Sequence, residues 1–139
     1  YPNDIAILTQ NVDDMFEKAN CKGVLHLHGF LKELRCMSCD TILNIGYEKQ
    51  DNLYNCCPKC NGKIRPNIVF FGEAAPMYEM LNHHIQDCKF LVIIGTSGNV
   101  IGVNTMASFI ETSILNNLDV SDAIDESVFS IMSPQNQTT

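Results

Sequence analysis

The sequence predicts an α/β fold whose parallel sheet is interrupted by a small metal-stapled module, on three observations. Short apolar, largely β-branched runs alternate with helix-like segments, the order that builds a parallel sheet with helices packed on it. Two Cys-x-x-Cys pairs, Cys36-Met37-Ser38-Cys39 and Cys57-Pro58-Lys59-Cys60, are separated by 17 residues, within the spacing used by zinc knuckles. Hydrophobic residues make up 45% and charged residues 18% of 139 positions, which suits one packed domain and excludes a disordered or collagen-like chain.

Taken in order, Ile5-Ala6-Ile7-Leu8-Thr9 reads as a buried parallel strand that stops at polar Gln10-Asn11. Residues 13–19 read as a helix, with Asp13 and Asp14 near the end that favours negative charge. Val24-Leu25-His26-Leu27-His28 alternates before Gly29 and predicts a second short strand, with His26 and His28 on one face. From Arg35 to Asn67, Cys, Asn, Gly and Pro dominate and few residues remain for a core, so this stretch is expected to be an insertion held by metal. Ile68-Val69-Phe70-Phe71 returns to strand character, and residues 76–87 predict a helix with Pro76 in its first turn. Phe90-Leu91-Val92-Ile93-Ile94-Gly95 is the strongest strand pattern in the chain. The turn Gly95-Thr96-Ser97-Gly98-Asn99 follows, then a helix over 106–111 and a last strand over 113–118. Residues 119–130 are acidic and weakly periodic, and the polar tail 133–139 is expected to be mobile.

Charge and cysteine usage narrow the function classes. Nine basic against 16 acidic residues give a formal charge of −7, which argues against nucleic acid as the main partner, because phosphate binding needs a basic patch. No apolar run approaches the ~20 residues that cross a bilayer, so no transmembrane helix and no membrane partner are expected. Seven cysteines are an odd number, and Tyr1-Pro2-Asn3-Asp4 has neither the basic start nor the apolar run of a signal peptide. A disulfide framework is therefore not expected, and a reducing, cytoplasmic location is. The chain lacks an initiator Met and enters a strand-like run almost at once, so a fragment or a processed start is expected.

Cys36, Cys39, Cys57 and Cys60 carry the metal prediction, since zinc takes four tetrahedral soft ligands and each knuckle turns two thiolates toward one ion. Cys56 stands beside Cys57 and could replace it through a Cys-x₃-Cys spacing, although the two-residue gap of Cys57 repeats that of the first pair. Four protein ligands leave no open position, so this zinc is structural and catalysis must come from elsewhere. In open α/β sheets ligands bind beyond the carboxyl ends of the strands. Thr9-Gln10-Asn11-Val12-Asp13, His28-Gly29 and Gly95-Thr96-Ser97 fall at such ends. His83, His84, Cys21 and Cys88 lie away from these motifs and are expected to be solvated or packing residues.

These segments together resemble the sirtuins, NAD-dependent protein lysine deacylases. Thr9-Gln10-Asn11-Val12-Asp13 is similar to the family's T-Q-N-[IV]-D signature, and His26-Leu27-His28-Gly29 to its strand carrying the catalytic His-Gly. The zinc knuckles follow in the family's order. Arg65-Pro66-Asn67-Ile68-Val69-Phe70-Phe71-Gly72-Glu73 resembles R-P-x-[IV]-V-x-F-G-E, and Val92-Ile93-Ile94-Gly95-Thr96-Ser97 resembles the nucleotide-binding strand. Leu115-Asn116-Asn117-Leu118-Asp119 is similar to the I-N-x-E motif near the adenosine.

The resemblance implies a partial Rossmann-like parallel sheet with a zinc-ribbon-like module inserted, residues 1–34 and 68–139 forming the NAD-binding part and 35–67 the zinc-binding module. It implies that His28 is the general base for a ribose hydroxyl of NAD, a role that suits a neutral imidazole. Gln10 and Asn11 would hydrogen-bond the ribose, Asp13 would hold the nicotinamide carboxamide, and Gly95, Thr96, Ser97 and Asn117 would line the adenosine side. Val69, Phe70, Phe71, Gly72 and Glu73 would pair with an acyl-lysine peptide as an added strand. The family's N-terminal third, with its Gly-Ala-Gly-x-Ser loop, and most of its C-terminal helix have no counterpart here. A truncated, inactive zinc-bearing remnant acting as a binding module is therefore the second reading.

Overall fold

The computed structural model describes residues 4–49 and 55–132. The tail 133–139, expected to be mobile, lies outside the described residues, as does the 50–54 stretch of the predicted insertion. Two compact units divide the chain, one ending at Leu81 and the other beginning at Asn82.

The first unit opens with β1 (Leu8–Thr9), α1 (Met15–Lys18) and β2 (Leu25–His26). β1 and β2 pair in parallel, Leu8 beside Leu25 and Thr9 beside His26. Leu25 N–H donates to Ile7 at 2.9 Å and Leu27 N–H to Thr9 at 2.8 Å, so the ladder runs to the residue before His28. The first strand is shorter than its apolar run, and Ile5 is 65% exposed rather than buried. Apolar content by itself fills no core where no neighbouring layer packs on it.

β3 (Gly29–Cys36) was not foreseen. It is the centre of an antiparallel sheet of order β4-β3-β5, flanked by β4 (Ile42–Asn44) and β5 (Ile64–Ile68). The antiparallel sheet belongs largely to the inserted zinc-binding stretch, while the pairings outside it are parallel. The register corrects the strand expected over 68–71, because the pairing ends at Ile68 and exposed Phe70 and Phe71 lie in the turn beyond. Pro66 sits within β5, which is an edge strand, where a missing N–H is tolerated. The stretch thought too poor in apolar residues has a core of its own, in which Leu34, Cys36, Ile45, Cys57 and Ile64 are buried and Cys39 and Leu43 pack against them. Two of the thiols thus belong to the packing of the module they staple.

The second unit holds β6 (Phe90–Ile94), α3 (Val103–Ser108), β7 (Thr112–Asn116) and β8 (Ile131–Met132), with a 3-10 turn at Glu126–Val128 before the last strand. All its pairings are parallel, in the order β6-β7-β8. Ile93, Leu115, Ile124 and Phe129 pack with Val103 and Ala107 of α3. That i,i+4 pair explains why α3 starts earlier than the helix expected over 106–111: Val103 and Ala107 form its buried stripe, and the helix is spent by Phe109. Phe90, Val92 and Ile94 alternate outward and are exposed.

α2 (Tyr78–Gln86) begins two residues after Pro76, within the helix the sequence predicts, and buries Leu81 while leaving His83 and His84 exposed.

Candidate functional site

The four knuckle thiols come together. Sγ atoms of Cys36, Cys39, Cys57 and Cys60 all lie within 4.8 Å of one another, with Cys36 to Cys60 at 3.4 Å and Cys39 to Cys57 at 3.7 Å. A tetrahedron of sulfurs about 2.3 Å from zinc has edges of about 3.8 Å, so the donor set fits one zinc ion. Cys56 is exposed and outside the cluster, which resolves the choice left open by spacing in favour of Cys57.

Both knuckles are built alike, and the repetition explains the geometry. Cys36 N–H donates to Thr41 at 2.9 Å and Cys57 N–H to Gly62 at 2.8 Å. Asp40 N–H returns to the Cys36 carbonyl at 3.2 Å and Asn61 N–H to that of Cys57 at 2.8 Å. Asp40 (φ 54°) and Asn61 (φ 58°) both take the left-handed conformation that Asp and Asn tolerate best among non-glycine residues. Hydrogen bonds from Thr41 draw the Cys39 thiol down to about 6, while Cys39 and the other crowded thiols push Cys60 up to about 12. Sulfurs this close cannot all ionise unaided, and a bound cation is what makes four thiolates compatible.

His28 lies in the turn between β2 and β3 rather than inside β2, so it does not continue the strand alternation expected of it. Its carbonyl accepts Val69 N–H at 2.9 Å, which ties it to the end of β5. Gly29 follows with φ 85°, and a Cβ there would lie 1.9 Å from the Asn67 carbonyl oxygen. Only glycine lets β3 leave the His28 turn this close to β5. The imidazole Nε2 of His28 is 2.8 Å from Tyr78 Oη.

His26 has different work. Its Nδ1 is 2.9 Å from the Asn11 carbonyl, its Nε2 is 3.0 Å from Glu17 Oε1, and its ring lies 4.5 Å from that of Phe30. It therefore fastens the segment after β1 to α1. Asn11 N–H also donates to Thr9 Oγ1 at 3.0 Å, while among the described residues the Gln10 and Asn11 carboxamides make no side-chain hydrogen bond. Fixed backbone with free amides is an arrangement that can grip a sugar without adding charge. Asp13 Oδ1 accepts Met15 N–H at 3.0 Å at the start of α1.

Val69 to Glu73 form a closed turn. Arg65 donates to both Glu73 oxygens at 2.6 and 2.7 Å and to the Ile68 carbonyl at 2.6 Å, and its guanidinium lies 4.5 Å from the Phe70 ring. Glu73 Oε2 also accepts Phe70 N–H at 3.0 Å. The Arg65 guanidinium holds the Glu73 carboxyl down at about 2. Phe71 is fully exposed and Gly72 is exposed beside it.

In the second unit Gly95, Thr96 and Ser97 follow β6, and Asn117 follows β7. Gly95 N–H donates to Asn116 at 3.0 Å. Thr96 Oγ1 accepts Gly98 N–H at 3.2 Å, and the Ser97 carbonyl accepts Ser121 Oγ at 2.5 Å. The parallel pairing of β6 and β7 brings the two strand ends together, and Asn117 bonds Thr96 directly.

Sequence reasoning missed Tyr78, Arg65 as a clamp, and Asp14. Asp14 is buried and accepts from Tyr47 Oη, from Lys32 at 2.6 Å and from Lys18 at 3.2 Å, and Lys32, Tyr47 and Lys18 together hold its carboxyl far below the usual range. For Tyr78 no local signal exists, because its partner lies 50 residues away; of the partners of Asp14 only Lys18 is local, an i,i+4 pair, while Lys32 and Tyr47 come from later in the chain. Arg65 and Glu73 were visible as the ends of one motif.

A profile of the Sir2 family matches residues 3–102. An NAD-dependent protein deacylase of Campylobacter jejuni subsp. jejuni serotype O:2 is 51% identical over 114 residues, covering 81% of this chain and 48% of that protein. One from Helicobacter hepaticus is 43% identical over 141 residues, covering 92% of this chain and 53% of that protein. The chain thus spans about half the length of the curated relatives it matches. Among solved structures, a Sir2 bound to acetylated peptide is 25% identical with a TM-score of 0.71, covering 92% of this chain and 57% of that one. A mutant Sir2 homologue in complex with ADP ribose is 27% identical with a TM-score of 0.75, covering 92% and 53%.

Proposed function

The chain belongs to the Sir2 family, and from that premise we propose that the protein it represents removes acetyl-type acyl groups from protein lysines at the cost of NAD, with His28 as the general base. The observation that carries this reading is His28 itself, held by its carbonyl to Val69 and followed by a glycine that nothing else can replace. The names of the relatives and the acetylated peptide in a structural neighbour support the reaction class.

NAD when bound supplies a ribose whose nicotinamide can leave. The chain's own residues bind and orient it. Gln10 and Asn11, whose carboxamides make no side-chain hydrogen bond among the described residues, offer them to the ribose, and Asp13 keeps one oxygen for the nicotinamide carboxamide while the other accepts Met15 N–H at the start of α1. Gly95, Thr96, Ser97 and Asn117 serve the adenosine side, where each hydroxyl already accepting a backbone N–H retains its own proton to donate. His28 takes a proton from a ribose hydroxyl at a ring nitrogen. The acyl-lysine peptide docks at Val69, Phe70, Phe71, Gly72 and Glu73, a turn stiffened by Arg65 and ending in an exposed aromatic ring. On this reading 1–34 and 68–139 serve NAD and 35–67 carry the zinc. Four thiolates persist best in a reducing compartment such as the cytoplasm. Among the described residues no helix is long and apolar enough to cross a membrane.

The test extends the chain with the segment that the Campylobacter jejuni relative has beyond the match and supplies acetyl-lysine peptide with and without NAD. Matched release of nicotinamide and loss of the acetyl group supports the proposal. Acetyl loss without NAD, or none in its presence from a folded, zinc-loaded protein, refutes it.

A further inference from the structure

We propose that Tyr78 is a positioning residue for His28: its phenol donates a hydrogen bond to Nε2 and holds the imidazole in the neutral tautomer that carries its proton on Nδ1. The inference rests on the reading of His28 as the base and adds to it the identity of the nitrogen whose lone pair is available.

The backbone of His28 is fixed before the ring is considered. Val69 N–H bonds its carbonyl at 2.9 Å, and the close pass of Gly29 over the Asn67 carbonyl leaves the turn no room to shift. What remains free is the ring, and a neutral imidazole left to water mixes two tautomers, only one of which presents a lone pair at a given nitrogen. Tyr78, at the first position of α2, places Oη 2.8 Å from Nε2, with ring centroids 5.9 Å apart and planes at 39°. A hydroxyl can donate or accept, so the direction needs an argument. Burial pushes the Tyr78 phenol up, so it keeps its proton at neutral pH, and an imidazole nitrogen is a stronger base than a phenol oxygen. The phenol therefore donates and Nε2 accepts. A ribose hydroxyl arriving at the same lone pair replaces one O–H donor by another, and the ring need not exchange its proton between nitrogens first. His26 shows the contrast within the same unit, since its Nδ1 faces a carbonyl and its Nε2 a carboxylate.

The experiment reads ring-nitrogen NMR signals of the ¹⁵N-labelled, zinc-loaded chain at neutral pH without substrate, with His28→Ala used to assign the His28 resonances. The expected result is an unprotonated Nε2 and a protonated Nδ1 at His28. In Tyr78→Phe, which keeps the ring and removes the hydroxyl, the tautomer ratio shifts about fivefold toward Nε2–H, the factor that corresponds to one hydrogen bond of ordinary net strength. The His26 signals stay unchanged and report that the fold is intact. A protonated Nε2 in the parent chain overturns the proposal whether or not the variant folds, and so does an unchanged ratio in a folded Tyr78→Phe. Because no substrate is present, this outcome is separate from whether His28 acts as the base, which the loss of deacylation in His28→Ala decides.

Discussion

Asn117 holds both backbone groups of Thr96: its Oδ1 accepts the Thr96 N–H at 3.0 Å, and its Nδ2 donates to the Thr96 carbonyl at 2.7 Å. One carboxamide thereby joins the end of β7 to the turn after β6, and the turn's shape depends on a side chain 21 residues away in sequence. Only Asn offers a donor and an acceptor at this reach. Asn117→Leu is expected to cost about 1–3 kcal/mol, the penalty for leaving half-buried backbone groups unpaired, read by denaturant unfolding. Amide exchange at Thr96 should accelerate in the same variant, and unchanged exchange would show that the clamp does not form in solution.

The zinc assignment is tested by metal analysis of single variants. The parent chain is expected to hold about one zinc, Cys57→Ser to lose it, and Cys56→Ser to keep it, because the Cys56 residue stands exposed outside the cluster. Retention in Cys57→Ser with loss in Cys56→Ser would reverse the assignment. Chelation should also unfold the small core, since Cys36 and Cys57 are part of it.

Arg65 and Glu73 give a pH signature with a definite sign. The folded Glu73 carboxyl is drawn from 4.5 to about 2, first by Arg65 and then by the Phe70 amide. A depressed folded value means that the stabilisation is fully present above the unfolded value and is lost as pH falls through the folded one. The stability difference between the parent chain and Glu73→Gln is therefore expected to be constant above pH 5 and to shrink between about 4.5 and 2. Carboxyl carbon NMR of Glu73 should show a midpoint near 2 in the parent chain and a rise toward the ordinary value in Arg65→Met. A midpoint near 4.5 in both would mean that the ion pair does not form.

Gly29→Ala is expected to be among the most damaging single changes, because its Cβ would lie 1.9 Å from a backbone oxygen at a residue with φ 85°. Strain of this conformation alone costs roughly 1–3 kcal/mol, and the collision adds to it. Thermal unfolding within a degree of the parent would contradict the observed packing of β3 on β5.

What the sequence showed of this molecule was whatever is encoded locally. Cys36, Cys39, Cys57 and Cys60 were legible because zinc dictates a spacing, and β6 because five consecutive apolar residues have few other uses. β3 was not legible, since Lys32, Glu33 and Arg35 interrupt its pattern and its pairing partners come from β4 and β5, later in the chain. Phe70 and Phe71 misled in the opposite direction, because an apolar pair exposed at a turn looks like a strand until the pairing register is known. The sequence singles out His28 through its motif alone, and its bond to Tyr78 spans 50 residues and arises only when α2 is in place.

The measurement that bears most directly on the account is the effect of His28→Ala and His26→Ala on the chain extended to the length of its relatives. Nicotinamide release and acyl loss are followed together on an acetyl-lysine peptide. His28→Ala is expected to lower deacylation by roughly 10²- to 10⁴-fold, the usual contribution of a positioned base, with zinc content unchanged. His26→Ala should cost much less, because its bonds to Asn11 and Glu17 hold the backbone rather than reach a reacting atom. Full deacylation in His28→Ala together with its loss in His26→Ala would contradict the account and move the base by two residues.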